Sequence, residues 1–359
     1  MMISIIGAGP AGSYAAYLLA KAGKDVHVFE EHEKIGSPIQ CSGVITPEIE
    51  KLIPLKKEII VNKIKRVRFH APNGSSFDVS IKEDYVFDRG KLDEYVAELA
   101  AGAGVKFHLK ERFSGFERKG EKFNVKVSSK TFETDFLVGA DGPHSPVAKA
   151  AGLFKERKFM VGIQARAEAE IVDKHLVEIF LGYGDFGWLI PENEETARIG
   201  VVAEKPCQQE FERLMKLRSG KFLSYQSGLI PIYNPKVKTQ DRNVFLIGDA
   251  ATQVKTSTHG GILFSMLAGE ELSKAITGNK NYEKLWRKRL GKELWLNLKI
   301  RNALHNFSER DFNNLVELFS QEKLKNILSS HVRDFPSKFL AQMFFKEPRL
   351  LKFGTKVLY

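Results

Sequence analysis

The chain has 359 residues, 43% of them hydrophobic and 28% charged, with a formal net charge of +11. That length allows two domains or one large core with an elaboration, and no stretch approaches the roughly 18 uninterrupted apolar residues of a membrane span. Two cysteines, Cys41 and Cys207, are too few for a disulfide framework or a four-cysteine zinc or iron–sulfur site and fit a reducing cytoplasm.

The N-terminus enters a structured motif at once, so no signal peptide is expected. Ile3–Ile6 reads as a short apolar strand, followed by Gly7-Ala8-Gly9-Pro10-Ala11-Gly12 and a helix over 11–20 that Gly23 stops. Val26–Phe29 is a second strand ending in Glu30. This is a dinucleotide turn: Gly7 for the tight bend, Gly9 for backbone approach to a pyrophosphate, Gly12 for helix–strand packing. The helix N-terminus faces the phosphates, and Glu30 can accept hydrogen bonds from ribose hydroxyls.

Residues 62–81 alternate around Asn73-Gly74 and predict a hairpin. Asp88-Arg89-Gly90-Lys91-Leu92-Asp93 opens a helix ending near Ala101. Short strands fill 113–132, and Phe136–Gly139 is a strand running into Ala140-Asp141-Gly142-Pro143-His144-Ser145. A group of strands follows at 160–170, 176–181, 186–191 and 197–203, and then a helix over 208–217. Val244–Ile247 leads into Gly248-Asp249, an acid placed to bind a polyol or ribose at the carboxyl end of a sheet. Beyond Gly260 the pattern is helical, at 262–275, 282–304, 311–319, 322–329 and 336–344.

The set GAGPAG, DRGKLDEY, VGADGPHSP and FLIGDAA resembles the FAD-binding fold of the para-hydroxybenzoate hydroxylase type over residues 2–275. The expected fold is α/β: a Rossmann-like FAD-binding fold, an antiparallel substrate sheet (α+β) and a helical C-terminus. The resemblance implies that FAD is held by Gly7, Gly9, Pro10, Ala11 and Gly12, with Glu30 on the adenosine ribose, Arg89 and Asp141 along the dinucleotide, and Gly248 and Asp249 at the ribityl chain and pyrophosphate. The expected division gives FAD-binding parts at 1–60, 86–158 and 241–278, an inserted hairpin at 61–85, a substrate sheet at 159–240 and C-terminal helices at 279–359.

The stretch Gly182-Tyr183-Gly184-Asp185-Phe186-Gly187-Trp188-Leu189-Ile190-Pro191 falls in the substrate sheet. Tyr183, Phe186, Trp188 and Ile190 can line a long apolar surface, and the three glycines permit close approach by something flat or rod-like. The segment is similar to the aromatic-x-Trp-x-aromatic-Pro motif of geranylgeranyl reductases, flavoproteins that saturate isoprenoid double bonds. Two further stretches resemble that family. They are Gly36–Val44, which holds Cys41, and Thr258-His259-Gly260-Gly261-Ile262, whose backbone amides would face the flavin pyrimidine. His259 stands where the family usually has glycine.

The resemblance implies hydride transfer from reduced flavin to an isoprenoid double bond of a geranylgeranyl lipid, with Cys41 or a water as proton donor and Cys41 also beside the flavin. NADPH or reduced ferredoxin is the expected electron source, since no second nucleotide unit is visible. An aromatic monooxygenase or halogenase is the rival reading, because Phe186-Gly187-Trp188-Leu189-Ile190-Pro191 is also similar to the Trp-x-Trp-x-Ile-Pro signature of halogenases, with phenylalanine in place of the first tryptophan. No nucleic-acid motif accompanies the positive charge. Aromatic residues and lysines interspersed over 335–346 allow an interfacial helix at the inner face of an anionic membrane; the alternative is that the same face packs on the preceding helices.

Overall fold

The computed structural model describes residues 1–204, 206–217 and 221–354. A six-stranded sheet takes the order Gln240–Asp241, Val244–Leu246, Phe136–Gly139, Met2–Ile6, Asp25–Phe29, Lys106–His108. All pairs are parallel except the first. Side chains alternate between its faces, as the two-residue period requires. Ile3, Ile5, Val26 and Val28 pack beneath the helices Pro10–Lys21 and Ile262–Thr277. Ile6, Phe29 and Leu137 face the other way, onto Phe123 and Val125 of a separate three-stranded sheet. Burial on both faces explains why these strands read as apolar runs.

The substrate sheet is larger than predicted. Eight strands take the order Phe222–Pro231, Phe159–Glu168, Thr196–Ala203, Phe186–Pro191, Leu176–Phe180, Ile60–His70, Ser76–Phe87, Val44–Ile45. The predicted hairpin therefore belongs to the same sheet as the 160–203 group. The join is parallel, Leu176–Phe180 against Arg66–His70, so the sheet is not purely antiparallel. Phe222–Pro231 was not foreseen. It is an edge strand whose first four residues are open to solvent while 226–230 line the cavity, and this mixed exposure gives no regular alternation.

The predicted helix over 282–304 is interrupted by one wide turn, Arg287–Gly291, between Tyr282–Trp286 and Lys292–His305. At the C-terminus the predicted helix over 336–344 is a short turn, Pro336–Lys338, followed by a helix at Leu340–Lys346. Its apolar face is covered: Phe339 and Met343 are buried with Leu318 and Leu324 of the two preceding helices, and Phe344 packs on the same cluster. Phe335 stacks on Phe264, with ring centroids 5.9 Å apart. Phe345 stays 83% exposed. Core packing accounts for Phe339 and Met343 of this segment. No helix among the described residues is long and apolar enough to cross a membrane.

Candidate functional site

A cavity of about 610 Å³ lies where the two large sheets and the C-terminal helices meet. Its nucleotide end is built by the first turn. Gly7 has φ +100°, and a Cβ there would lie 2.4 Å from the Ala140 carbonyl oxygen. A Cβ on Gly12 would lie 2.0 Å from the Gly7 oxygen, whereas Gly9 faces open space. Gly9, Pro10 and Ala11 line the cavity, and no side chain caps the helix that begins at Pro10. Its first N–H groups are therefore free for an anion.

The Ile262–Thr277 helix points a second uncapped N-terminus, through Gly260 and Gly261, at the same space. Gly248, at φ +64°, brings the Asp249 loop against Ala11 and Ser265. The Asp249 carboxylate has no hydrogen-bond partner among the described residues, and burial pushes its pKa up to about 6 although Arg89 draws it down. Arg89 pairs with Asp93 at 2.8 Å, but its buried Nε has no partner. Two open helix ends, an unpartnered acid and a half-used guanidinium fit a dinucleotide of FAD's shape and charge.

Two predicted cofactor contacts are engaged elsewhere. Glu30 accepts the Ala8 amide at 2.8 Å and the His32 amide at 3.0 Å, so it pins the glycine turn and has only its remaining lone pairs for a ribose. The Asp141 carboxylate accepts Ser145 Oγ at 2.6 Å and Val147 N–H at 2.8 Å. It holds Ser145, the cap of the Pro146–Ala150 helix, and a first-turn amide of that helix, and its neighbours Ala140, Gly142 and Pro143 line the cavity instead.

One face of the eight-stranded sheet forms the apolar wall. Phe186, Trp188 and Ile190 point into the cavity. Gly187 is turned to the opposite face, where a Cβ would meet Leu214 of the Cys207–Met215 helix at 2.8 Å. Gly182 and Gly184 sit at φ +81° and +60° in the preceding turn. The glycines thus serve turn geometry and helix packing, not the approach of a flat ligand. Tyr183 also departs from expectation: it stacks under Arg213 at 4.2 Å, edge-on to Phe180, and is not a wall residue.

Trp188 donates Nε1–H to Gln164 Oε1 at 2.8 Å and lies against Gly200. The sequence reading missed the rest of the wall: Val67, Val79, Val177 and Ile179, with Leu304, Leu328 and Phe339 from the C-terminal helices. The period-two pattern of 176–181 was a usable signal for the strand residues; nothing local flags the helical ones.

Cys41 is half-buried beside the cavity; its sulfur accepts the Gly43 amide at 3.4 Å and lies against Arg89. Cys207 is buried, donating to the Val161 carbonyl at 3.1 Å. Ion pairs that the sequence gave no hint of also line the cavity: Lys255 with Asp334, itself bonded to Thr46, and Arg333 with Asp84. Lys255 lies against Gly260, and His259, next in the same turn, is paired with Asp185.

The FAD binding domain family matches residues 1–213. A digeranylgeranylglycerophospholipid reductase of Methanocaldococcus jannaschii is 31% identical, over 99% of this chain and 98% of the relative. The chain belongs to the digeranylgeranylglycerophospholipid reductase family. A member from Methanosarcina acetivorans is 28% identical over 99% of this chain and 96% of its own length. The crystal structure of a geranylgeranyl bacteriochlorophyll reductase-like protein from Thermoplasma acidophilum superposes with a TM-score of 0.87, at 22% identity, covering 99% of this chain and all of that one. A flavin-dependent halogenase shares the fold at a TM-score of 0.73 and 15% identity, over 93% of this chain and 73% of its own. FAD is the cofactor of this reductase family fold, and the rival halogenase reading retains only a distant likeness of architecture.

Proposed function

We propose that the protein saturates isoprenoid carbon–carbon double bonds of a geranylgeranyl lipid of archaeal type. The observation that carries this reading is the wall of Val67, Val79, Val177, Ile179, Trp188 and Ile190, continuous with the FAD end. An apolar surface of that extent suits a flexible hydrocarbon chain, and it holds few polar groups that a hydroxylated aromatic substrate would need. Reduced FAD supplies the hydride. The chain's own residues orient the alkene, exclude water and deliver a proton, with Trp188 and Phe186 presenting ring faces to developing positive charge. Cys41 is proposed to border the reacting bond. The electron source is proposed to be external, NADPH or a reduced ferredoxin, for which the excess of basic side chains provides an attractive surface.

Anaerobic incubation of the reduced FAD-loaded protein with a geranylgeranylated glycerophospholipid, read by mass spectrometry, tests this reading. Successive gains of two hydrogens are expected. An unchanged lipid, together with oxygen-dependent product from an aromatic substrate, would overturn it in favour of a monooxygenase.

The wall itself gives a second test. A methyl group added at Gly200 would lie 2.5 Å from the Trp188 ring and 2.7 Å from the Ile163 carbonyl oxygen, so Gly200→Ala must displace the indole and push on the neighbouring strand, and the variant's folding is checked by its unfolding midpoint. The expected outcome is a KM for the lipid raised about tenfold, roughly the 1.4 kcal/mol of one lost aromatic contact, with FAD occupancy unchanged. An unaltered KM would remove Trp188 from the substrate wall.

A further inference from the structure

Arg198 carries a buried guanidinium that binds more than its counter-ion. It lies opposite Ile190 in the ladder between Thr196–Ala203 and Phe186–Pro191. Directly paired residues leave a sheet on the same face, so the arginine issues from the face that carries the apolar wall. The residue is 8% exposed. Its Nε donates to Glu192 Oε1 at 2.6 Å, and its Nη1 donates to two main-chain carbonyls, Ser42 at 2.6 Å and Phe87 at 2.9 Å. Glu192 is also buried and takes Arg166 Nε on its other oxygen at 2.5 Å. One carboxylate would neutralise the charge. The further bonds to two carbonyls far apart in sequence are a separate commitment, and they need the planar, multi-donor geometry of arginine.

Both carbonyls belong to segments that deliver side chains to the FAD end. Phe87 stands two residues before Arg89, and its amide donates to the Gly43 carbonyl at 2.9 Å. Ser42 follows Cys41. In the trans peptide between Ser42 and Gly43, the C=O and N–H point in opposite directions. Arg198 holds the C=O, so the N–H is turned the other way, where it donates to Cys41 Sγ at 3.4 Å. Gly43, at φ +77°, leaves no space: a Cβ there would lie 2.7 Å from Arg198 Nη1 and 3.2 Å from Arg89 Cγ. The chain passes between these groups only as glycine. Cys41, Ser42, Val44 and Arg89 line the cavity, and Arg198 stands behind them.

We propose that Arg198 is a positioning residue for the Cys41 loop. One guanidinium joins three segments: the wall strand through Glu192, just after Pro191; the Cys41 loop through Ser42; and the Arg89 turn through Phe87. It thereby fixes how far the Cys41 sulfur lies from Trp188 and Ile190. The assignment rests on the reductase reading above and adds to it the residue that keeps wall, thiol and cofactor end in register. Arg198 acts through these groups and is not part of the cavity lining. Its loss should therefore slow the chemical step and leave lipid binding, which the apolar wall governs, little changed.

The test uses the full FAD-loaded chain. Arg198→Lys keeps a cation beside Glu192, but a single ammonium cannot hold both carbonyls in the same geometry. Arg166→Ala is the control: Arg166 is 46% exposed and bonds the same Glu192 without reaching the loop. Hydrogen exchange of the amides over 41–45, read by mass spectrometry in the oxidised holoprotein, should be several-fold faster in Arg198→Lys and unchanged in Arg166→Ala. In single turnover with prereduced flavin and a geranylgeranylated glycerophospholipid, Arg198→Lys should lower the rate at saturating lipid about tenfold, less than a misplacement of roughly 1 Å can cost. The half-saturating lipid concentration and the flavin content should stay at wild-type values. A second variant, Glu192→Leu with Arg198→Met, removes both buried charges together, so folding should survive while loop exchange and rate change as in Arg198→Lys. Wild-type exchange over 41–45 in either folded variant would overturn the proposal. So would an equal effect of Arg166→Ala, or a loss of rate matched by a rise in half-saturating lipid. The exchange readout needs no lipid, so wild-type protein that leaves the lipid unreduced defeats the reductase reading while exchange still decides the role of Arg198.

Discussion

Asp334→Ala is expected to be among the most destabilising single substitutions in the chain, costing about 3–5 kcal/mol as a broken buried ion pair. Asp334 is 1% exposed, and its partner Lys255 is 6% exposed. Removing the acid strands an ammonium at the cavity edge and frees the Thr46 hydroxyl that also bonds it. Burial alone would raise the Asp334 pKa, but Lys255, Arg333 and the Thr46 bond reverse this and hold it below 3.8. A carboxylate with a depressed folded pKa contributes stability that is fully present above its unfolded pKa, near 4. It loses that contribution as pH falls through the lower folded value. The gap between wild type and variant in urea unfolding should therefore be full at pH 7 and shrink below about pH 4. Lys255→Met with Asp334→Leu should recover most of the loss, because the pair's desolvation cost disappears with its charges. A single variant that unfolds at the wild-type urea concentration would show that Lys255 finds another partner.

The same pair shows where sequence reasoning stops. Thr46, Lys255 and Asp334 are brought together by three distant parts of the chain, and none sits in a local pattern that points to the others. The nucleotide turn is the opposite case. Gly7, Gly9 and Gly12 are legible because tight bend, open approach and close packing are each a local demand met by one residue type, and the Cβ contacts at each position bear this out.

The faces of a strand were equally legible, since Phe186, Trp188 and Ile190 share a side by periodicity alone. Competing uses of a residue were not. Asp141 looked like a cofactor acid but satisfies its own helix N-terminus, and Tyr183 looked like a wall aromatic but lies in the turn, where it packs under Arg213. In both, a short-range partner outcompetes the longer-range role that composition suggests. The C-terminal aromatics left two readings open for another reason. An interfacial face and a packed face have one pattern, and only the presence of Leu318 and Leu324 opposite Phe339 and Met343 tells them apart.

Asp249→Asn is expected to move stability and cofactor affinity in opposite directions. In flavin-free protein the half-buried Asp249 carboxyl faces the cavity without a hydrogen-bond partner among the described residues, and partial desolvation raises its pKa from 3.8 to about 6. The folded state then binds more protons than the unfolded chain between those two values, so stability falls as pH rises through about 4 to 6. Two pKa units correspond to roughly 3 kcal/mol of penalty for the charged form at pH 7. Asparagine fills the same space uncharged, so the flavin-free variant should be more stable than wild type by up to that amount at pH 7 and equal to it near pH 4. With FAD the order reverses, because a carboxylate accepting a ribityl or ribose hydroxyl makes a charge-assisted bond worth about 1.5–3 kcal/mol, or roughly 10- to 100-fold in affinity. Urea unfolding of deflavinated protein at pH 4 and 7, with fluorescence titration of FAD, reads both signs. A residue kept only for packing would lose stability and leave FAD affinity alone. On this expectation the charge is retained because the cofactor, and not the fold, would supply its partner.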